Sequence, residues 1–201
     1  PIGDRCSLDI AIERIEAADT VSHIHVITHA AYFPKFVEWS AGRTGPVPVT
    51  VHSDGTTTES TKLGSIGDIK FFLDLEPLDD DLLILAGDNV FDFDITPLLE
   101  RARHEPVIGL YDLGALEPAS RYGVVELDAA GYITSFVEKP PQPASTLIAL
   151  ALYGFPSACL KEIDVYLDGG GTSDAMGSFI EWLHKRRPVI GWVFSGRWID
   201  I

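Results

Sequence analysis

Two carboxylates, one Glu-Lys pair and a few glycines carry the chemical potential of this chain. Asp88 stands three residues after the apolar run Leu82-Leu83-Ile84-Leu85, with Gly87 before it to let the backbone turn. The run continues to Ala86, and such a stretch without polar alternation suits a strand buried on both faces, as in the middle of a parallel sheet. In open sheets of that kind ligands bind beyond the carboxyl ends of the strands. A carboxylate at that place is a hard oxygen ligand, suited to Mg²⁺ shared with substrate phosphates. Asp is equally a residue that turns a chain or caps a helix, and the run alone does not choose between these roles. Asp200 closes a second apolar strand, Trp198-Ile199, and two such carboxylates facing one cleft could hold one Mg²⁺ against a triphosphate. A surface Asp at a frayed end is the plainer alternative.

Glu138-Lys139-Pro140 ends another strand. Glu accepts hydrogen bonds from sugar hydroxyls, and Lys offers a point charge to a phosphate; a charged edge before a proline turn reads the same way. In Arg121-Tyr122-Gly123 the glycine sits at a loop-to-strand junction, where a ligand can approach the backbone closely. Gly169-Gly170-Gly171 could cradle a phosphate, but its place between two helices suits a connector better. The phosphate-binding loop G-x-x-x-x-G-K-[ST], the dinucleotide fingerprint, the nucleophile elbow and H-E-x-x-H are all absent. His23 and His25 share one face of a strand and read as structural or surface residues.

The elements that must position these groups alternate. Leu8, Ile12 and Ile15 predict a helix over residues 8–18, and strands follow at Ile24–Thr28 and 48–52, with a short helix between them. A helix carries Ile66, Ile69, Phe72 and Leu73 on one face; then come the strand before Asp88, a helix over 96–103 and a strand over 107–111. That alternation indicates βαβ units and a largely parallel sheet. The second half changes: Gly123–Leu127 and 132–137 flank the hairpin-like Asp128-Ala129-Ala130-Gly131, a strand follows over Leu147–Phe155, then helices over 157–167 and 175–185, and strands over 189–194 and 198–201. The expected fold is one domain over residues 1–201, a three-layer α/β sandwich with a mainly parallel, Rossmann-like sheet and a mixed C-terminal part.

Leu85-Ala86-Gly87-Asp88-Asn89, Arg121-Tyr122-Gly123-Val124-Val125-Glu126, Phe136-Val137-Glu138-Lys139-Pro140 and Gly196-Arg197-Trp198-Ile199-Asp200-Ile201 together resemble the sugar-phosphate nucleotidyltransferases, in which such blocks occur in this order. Asp54-Gly55-Thr56-Thr57 followed by Leu63-Gly64-Ser65-Ile66-Gly67-Asp68-Ile69 is similar to the family's nucleotide-binding segment. The resemblance implies transfer of a nucleotidyl group from a nucleoside triphosphate to a sugar 1-phosphate, with Mg²⁺ as cofactor. It assigns the metal to Asp88 and Asp200, the base and ribose to Leu63 and Gly64, the sugar to Tyr122, Gly123 and Glu138, and the sugar's phosphate to Lys139. Glucose 1-phosphate with dTTP or UTP is the leading substrate pair. Catalysis would then be mostly charge neutralisation and positioning. Three departures stand out. The family's opening strand and glycine-rich loop precede the point where this sequence starts. Leu150 and Ala151 stand where a small residue and a glycine are common beside the sugar, and Met176 replaces a common proline. A glycosyltransferase using Asp92-Phe93-Asp94 as its metal site, and a non-catalytic nucleotide-sugar-binding regulatory protein, are the alternatives.

A net charge of −15 over 201 residues argues against duplex nucleic acid or an anionic membrane surface as partner. There is no apolar stretch near the ~20 residues that span a bilayer and no secretory signal, and Cys6 and Cys159 set up no disulfide framework. A cytoplasmic setting follows as the simplest expectation, with room left for a homo-oligomer. The opening Pro1-Ile2-Gly3 and the ending at Ile201 read as cuts through a domain. Residues before Pro1 are therefore expected to supply a central strand and the glycine-rich loop.

Overall fold

The computed structural model describes residues 6–58 and 60–200, Asp200 by its backbone alone. The elements run α1 Ser7–Ala17, β1 Ile24–Thr28, α2 Phe33–Ala41, β2 Val49–Ser53, α3 Ser65–Leu75, β3 Leu82–Leu85, β4 Asn89–Phe91, α4 Thr96–Ala102 and β5 Val107–Asp112. They continue α5 Leu116–Ala119, β6 Gly123–Leu127, β7 Ile133–Glu138, β8 Leu147–Phe155, α6 Ser157–Leu160, α7 Glu162–Asp168, α8 Met176–Leu183, β9 Ile190–Phe194 and β10 Trp198–Asp200. Helix α1 buries Ala11, Ile12 and Ile15, and its start is closed by a reciprocal cap between Cys6 and Asp9. Two short elements, β4 and α5, carry no periodic signal long enough to read from sequence. The helix expected over 157–167 breaks into α6 and α7 around Lys161.

The layers follow from β8, whose side chains alternate between two cores. Tyr153 and Phe155, with Ala149 and Ala151 beside them, pack under α3, α6, α7 and α8; Ile148, Leu150 and Leu152 pack on the other face with Leu98, Ala102 and Phe91. The α/β sandwich class holds, but the sheet is mixed, not mainly parallel. In the main sheet, ordered β7-β6-β8-β5-β9 with β3 also on β8, only β5 and β9 run parallel; a separate parallel pair joins β1 and β2. The reason is β8, which turns back against β3, β5 and β6 and makes every pairing in which it takes part antiparallel.

Strand β3 departs from expectation in a second way. Its four residues are half-buried, because among the described residues it pairs with β8 on one edge only. Strand β1 likewise pairs only with β2. Ile24–Ile27 of β1 and Leu82–Leu85 of β3 line one cavity of about 1310 Å³ that separates the two strands. No helix of the described residues is long and apolar enough to cross a membrane.

On the β1–β2 pair, three histidines form a ladder. The rings of His23 and His25 stack with centroids 4.3 Å apart, and Nδ1 of His25 lies 2.9 Å from Nε2 of His52, so one ring donates to the other. Phe72 covers both His25 and His52. Burial holds both below the ordinary histidine pKa; the neighbouring histidine charges push the same way, and Glu76 opposes them. The unfolded chain therefore binds more protons than the folded one as pH falls below about 6.5, and stability drops through that window. Asp68, treated below, acts with the opposite sign. The expected result is a lower thermal midpoint at pH 5.5 than at pH 7.5, with the decline flattened in His25→Gln/His52→Gln. An equal decline in that variant would assign the effect to other groups.

Candidate active site

Where β3 ends, Gly87 and Asp88 form a turn closed by a hydrogen bond from the Asn89 backbone N–H to Ala86 O at 3.2 Å. The turn holds Asp88 exposed at the edge of the cavity and sends Asn89 inward, where it is 4% exposed. Strand β10 then lies antiparallel to β4, with the Asp200 backbone directly opposite Asn89. The two carboxylate-bearing segments, far apart in sequence, thus become neighbours. The side chain of Asp200 lies outside what the structure describes. The competing pair, Asp92 and Asp94, is engaged elsewhere. Asp92 accepts hydrogen bonds from the Arg197 backbone N–H at 2.7 Å and from its Nε at 3.1 Å, which hold its carboxyl below the usual range. Asp94 accepts from the Thr96 N–H at the start of α4, and neither residue lines the cavity.

Across the cavity, β6 and β7 pair Gly123 with Glu138. Gly123 and Gly177 both pack against this carboxylate. A Cβ on Gly123 would meet the Phe136 ring at 2.6 Å and Glu138 Oε2 at 3.1 Å, and one on Gly177 would run into the carboxylate itself. Burial pushes the Glu138 carboxyl up, and the charge of Lys139 opposes that. Lys139 has a left-handed backbone, φ 46°, rare for a residue with a Cβ. Its N–H donates to Tyr122 O at 3.0 Å, and its Nζ reaches out 3.9 Å from Glu138 Oε1 with the side chain 67% exposed. Ala149, Ala151 and Tyr153 of β8 form the wall beside Glu138. Leu150, noted from sequence as a neighbour of the sugar, instead points to the opposite core and is 2% exposed, because the strand's alternation puts it there. Gly177→Ala is therefore expected to displace the Glu138 carboxylate and to lower the thermal midpoint through overpacking. A melting curve checks this, and an unaltered midpoint would show that the Glu138 side chain gives way without cost.

Leu63 and Gly64 enter α3. Gly64 takes φ 81° and packs so closely on the backbone of Ser173 and Asp174 that a Cβ has no room. Ser65 ties the segment down: its Oγ donates to Asp174 O at 3.0 Å and accepts from the Met176 N–H at 2.9 Å. Met176 is thus a buried anchor of this contact. Leu63 and Gly64 stand next to the cavity without lining it; the wall is formed by Ser65 and Asp68 one turn on. Gly169, Gly170 and Gly171 connect α7 to α8 away from the cavity, with Gly171 closely packed on the Tyr166 ring.

The structure adds Asp68, which the sequence showed only as part of the block similar to a nucleotide-binding segment, with no role of its own. Its Oδ1 is buried with no hydrogen-bond partner, and burial together with the Asp54 charge pushes its pKa up to about 6, His29 opposing. Asp54 does not relieve it, since its own oxygens accept from the Thr56 N–H and hydroxyl. The usable signal was its place, two residues after Ile66 and one before Ile69 on a buried face. Asp88, Tyr122, Gly123, Glu138 and Lys139 come together on one cavity, joined by Asn89 and Trp198.

Both the sequence and the layered α/β fold are similar to those of known proteins. The model of the family described as nucleotidyl transferase matches residues 1–201, and the chain belongs to that family. A glucose-1-phosphate adenylyltransferase of Desulfitobacterium hafniense (strain Y51) is 32% identical over 125 residues, 60% of this chain and 31% of that protein. A Sulfolobus acidocaldarius protein provisionally named mannose-1-phosphate guanyltransferase is 29% identical over 143 residues, 71% of this chain and 38% of that protein. The chain spans about a third of the length of these curated relatives. A crystal structure of a Bacillus anthracis protein provisionally named glucose-1-phosphate thymidylyltransferase, in complex with a sucrose, has a TM-score of 0.78 at 22% identity. It covers 96% of this chain and 76% of the other, and shares its fold.

Proposed function

We propose that the protein carrying this chain transfers a nucleotidyl group from a nucleoside triphosphate to a sugar 1-phosphate. A phosphate oxygen of the sugar phosphate attacks the α-phosphorus; the bond from that phosphorus to the bridging oxygen breaks, and pyrophosphate leaves with the electron pair. The observation that carries this reading is the opening of Asp88 and of Glu138-Lys139, from opposite halves of the chain, onto one cavity. Lys139 has the exposure and reach to offset the charge of the entering phosphate, which lowers the barrier to bringing two anions together. Glu138, held between two glycines and partly desolvated, is placed to accept hydrogen bonds from sugar hydroxyls. Leu63 and Gly64, locked by Ser65 to Asp174, form the rigid edge assigned to the base and ribose.

The donor chemistry fits Mg²⁺. Among the described residues no group of three or more His, Cys, Asp or Glu side chains is placed to hold a metal, and Mg²⁺ is ordinarily held by one or two carboxylates together with substrate phosphates. Asp88 and Asp200 would hold the ion, which when bound neutralises phosphate charge and fixes the α-phosphate for in-line attack. The same reading assigns the open slot between β1 and β3 to a further strand, because among the described residues both neighbours have unpaired backbone along that side.

The test is pyrophosphate release by the full-length gene product over a panel of ATP, GTP, UTP and dTTP against glucose 1-phosphate and mannose 1-phosphate. Release with one pair is expected, with glucose 1-phosphate and dTTP or UTP as the starting pair. No release with any pair, together with sugar transfer from a nucleotide sugar to an acceptor, would replace this reading with a glycosyltransferase.

A further inference from the structure

The turn at Asp88 is tied to the distant β10 by two hydrogen bonds in series. The Trp198 indole Nε1–H donates to Asn89 Oδ1 at 2.6 Å, and Asn89 Nδ2 donates to Asp88 Oδ1 at 2.9 Å. We propose that Asn89, held in one orientation by Trp198, is a positioning residue that aims the Asp88 carboxylate at its cation; this rests on the reading of Asp88 as a metal ligand.

The chemistry of the groups leaves one orientation. An indole N–H can only donate, so the Asn89 atom facing it must be the carbonyl oxygen; an ionised carboxylate can only accept, so the atom facing Asp88 must be the amide nitrogen. A flipped amide would set N–H against N–H at one end and oxygen against oxygen at the other. Asn89 is buried, so water does not offer it substitute partners. Trp198 is itself held. It pairs across from Phe91 and reaches diagonally to Asn89, with Tyr122 edge-on at 5.5 Å and Tyr111 tilted at 5.9 Å. The Tyr111 hydroxyl donates to Gly196 O at 3.0 Å, which fixes the approach to β10.

The consequence falls on Asp88. As an exposed side chain on a two-residue turn it would otherwise sample several rotamers. The Asn89 amide fixes Oδ1, and among the described residues Oδ2 accepts no hydrogen bond and is left for a cation. Orienting partners of this kind typically change metal affinity by about 10–100-fold when removed. Trp198 also touches Tyr122, so one chain of contacts runs from the Tyr122-Gly123 side of the cavity to the Asp88 carboxylate.

The probe is Mn²⁺ alone, titrated against the full-length protein and read by the loss of the free-ion electron paramagnetic resonance signal. Trp198→Phe keeps an aromatic ring between the tyrosines and removes the donor; Asn89→Leu keeps the branched shape and removes both polar atoms. Each is expected to weaken Mn²⁺ by roughly 10–100-fold, with circular dichroism unchanged. The double variant should be no weaker than Asn89→Leu, since Trp198 acts through Asn89. The apparent Mg²⁺ constant for turnover should rise in step, more than kcat falls. Asp88→Asn separates the two ideas. If it leaves Mn²⁺ binding intact, the reading of Asp88 as ligand fails. If it abolishes binding while Trp198→Phe binds as the unaltered protein does, the positioning role is overturned, whether or not Asn89→Leu folds.

Discussion

Asp88→Asn in the full-length gene product is expected to lower kcat by roughly 10³-fold, the scale on which removal of one charge-stabilising group acts in enzyme sites. The fold should not notice. Asp88 is exposed on a turn, Asn keeps its size, and the turn is closed by backbone groups, so stability should stay within about 0.5 kcal/mol. What is lost is the anionic oxygen ligand that would hold Mg²⁺, the ion that would balance the phosphate charge. Measuring kcat beside the thermal midpoint checks both halves of the expectation. Asp92→Asn is the control: it removes the partner of Arg197 yet stands off the cavity, so turnover should change by no more than about twofold. If Asp92→Asn inactivates and Asp88→Asn does not, the metal belongs to the Asp92-Phe93-Asp94 segment.

Lys139→Ala should lower kcat/KM for the sugar phosphate by about 10–100-fold, corresponding to loss of one charge-assisted hydrogen bond of about 1.5–3 kcal/mol. The triphosphate KM should move by less than about twofold, since Lys139 follows β7 beside Glu138, whereas Leu63–Ser65 lead into α3. The left-handed backbone at residue 139 is equally strained with Ala, so the substitution removes the charge without relaxing the loop. Lys139→Arg should restore part of the loss. Kinetics with each substrate varied in turn would show it, and an unchanged response to the sugar phosphate would leave Lys139 a surface charge.

Much of this protein was determined by local sequence. The apolar run before Gly87-Asp88 forms a strand and a turn because it is only a few residues long, bounded by Asp79-Asp80-Asp81 and Gly87, and Leu147–Phe155 forms one because its length and composition suit burial on both faces. Ile66, Ile69 and Phe72 specify a helix because their spacing matches one helical face, and Asp128–Gly131 sets a hairpin because its residues suit a tight turn. These are interactions among residues a few positions apart, and the order of the motif blocks is likewise written in the chain. Strand direction is not. That β8 runs against β3, β5 and β6, making the sheet mixed, depends on packing between segments dozens of residues apart. Only the tertiary structure put Leu150 on the far side from the cavity, left β1 and β3 facing across an open slot, and half-buried Asp68 within the influence of the Asp54 charge. It also closed two glycines from separate elements on Glu138 and brought the Trp198 indole to Asn89, because a hydrogen bond between side chains requires a backbone placement to within about an ångström that no local pattern specifies.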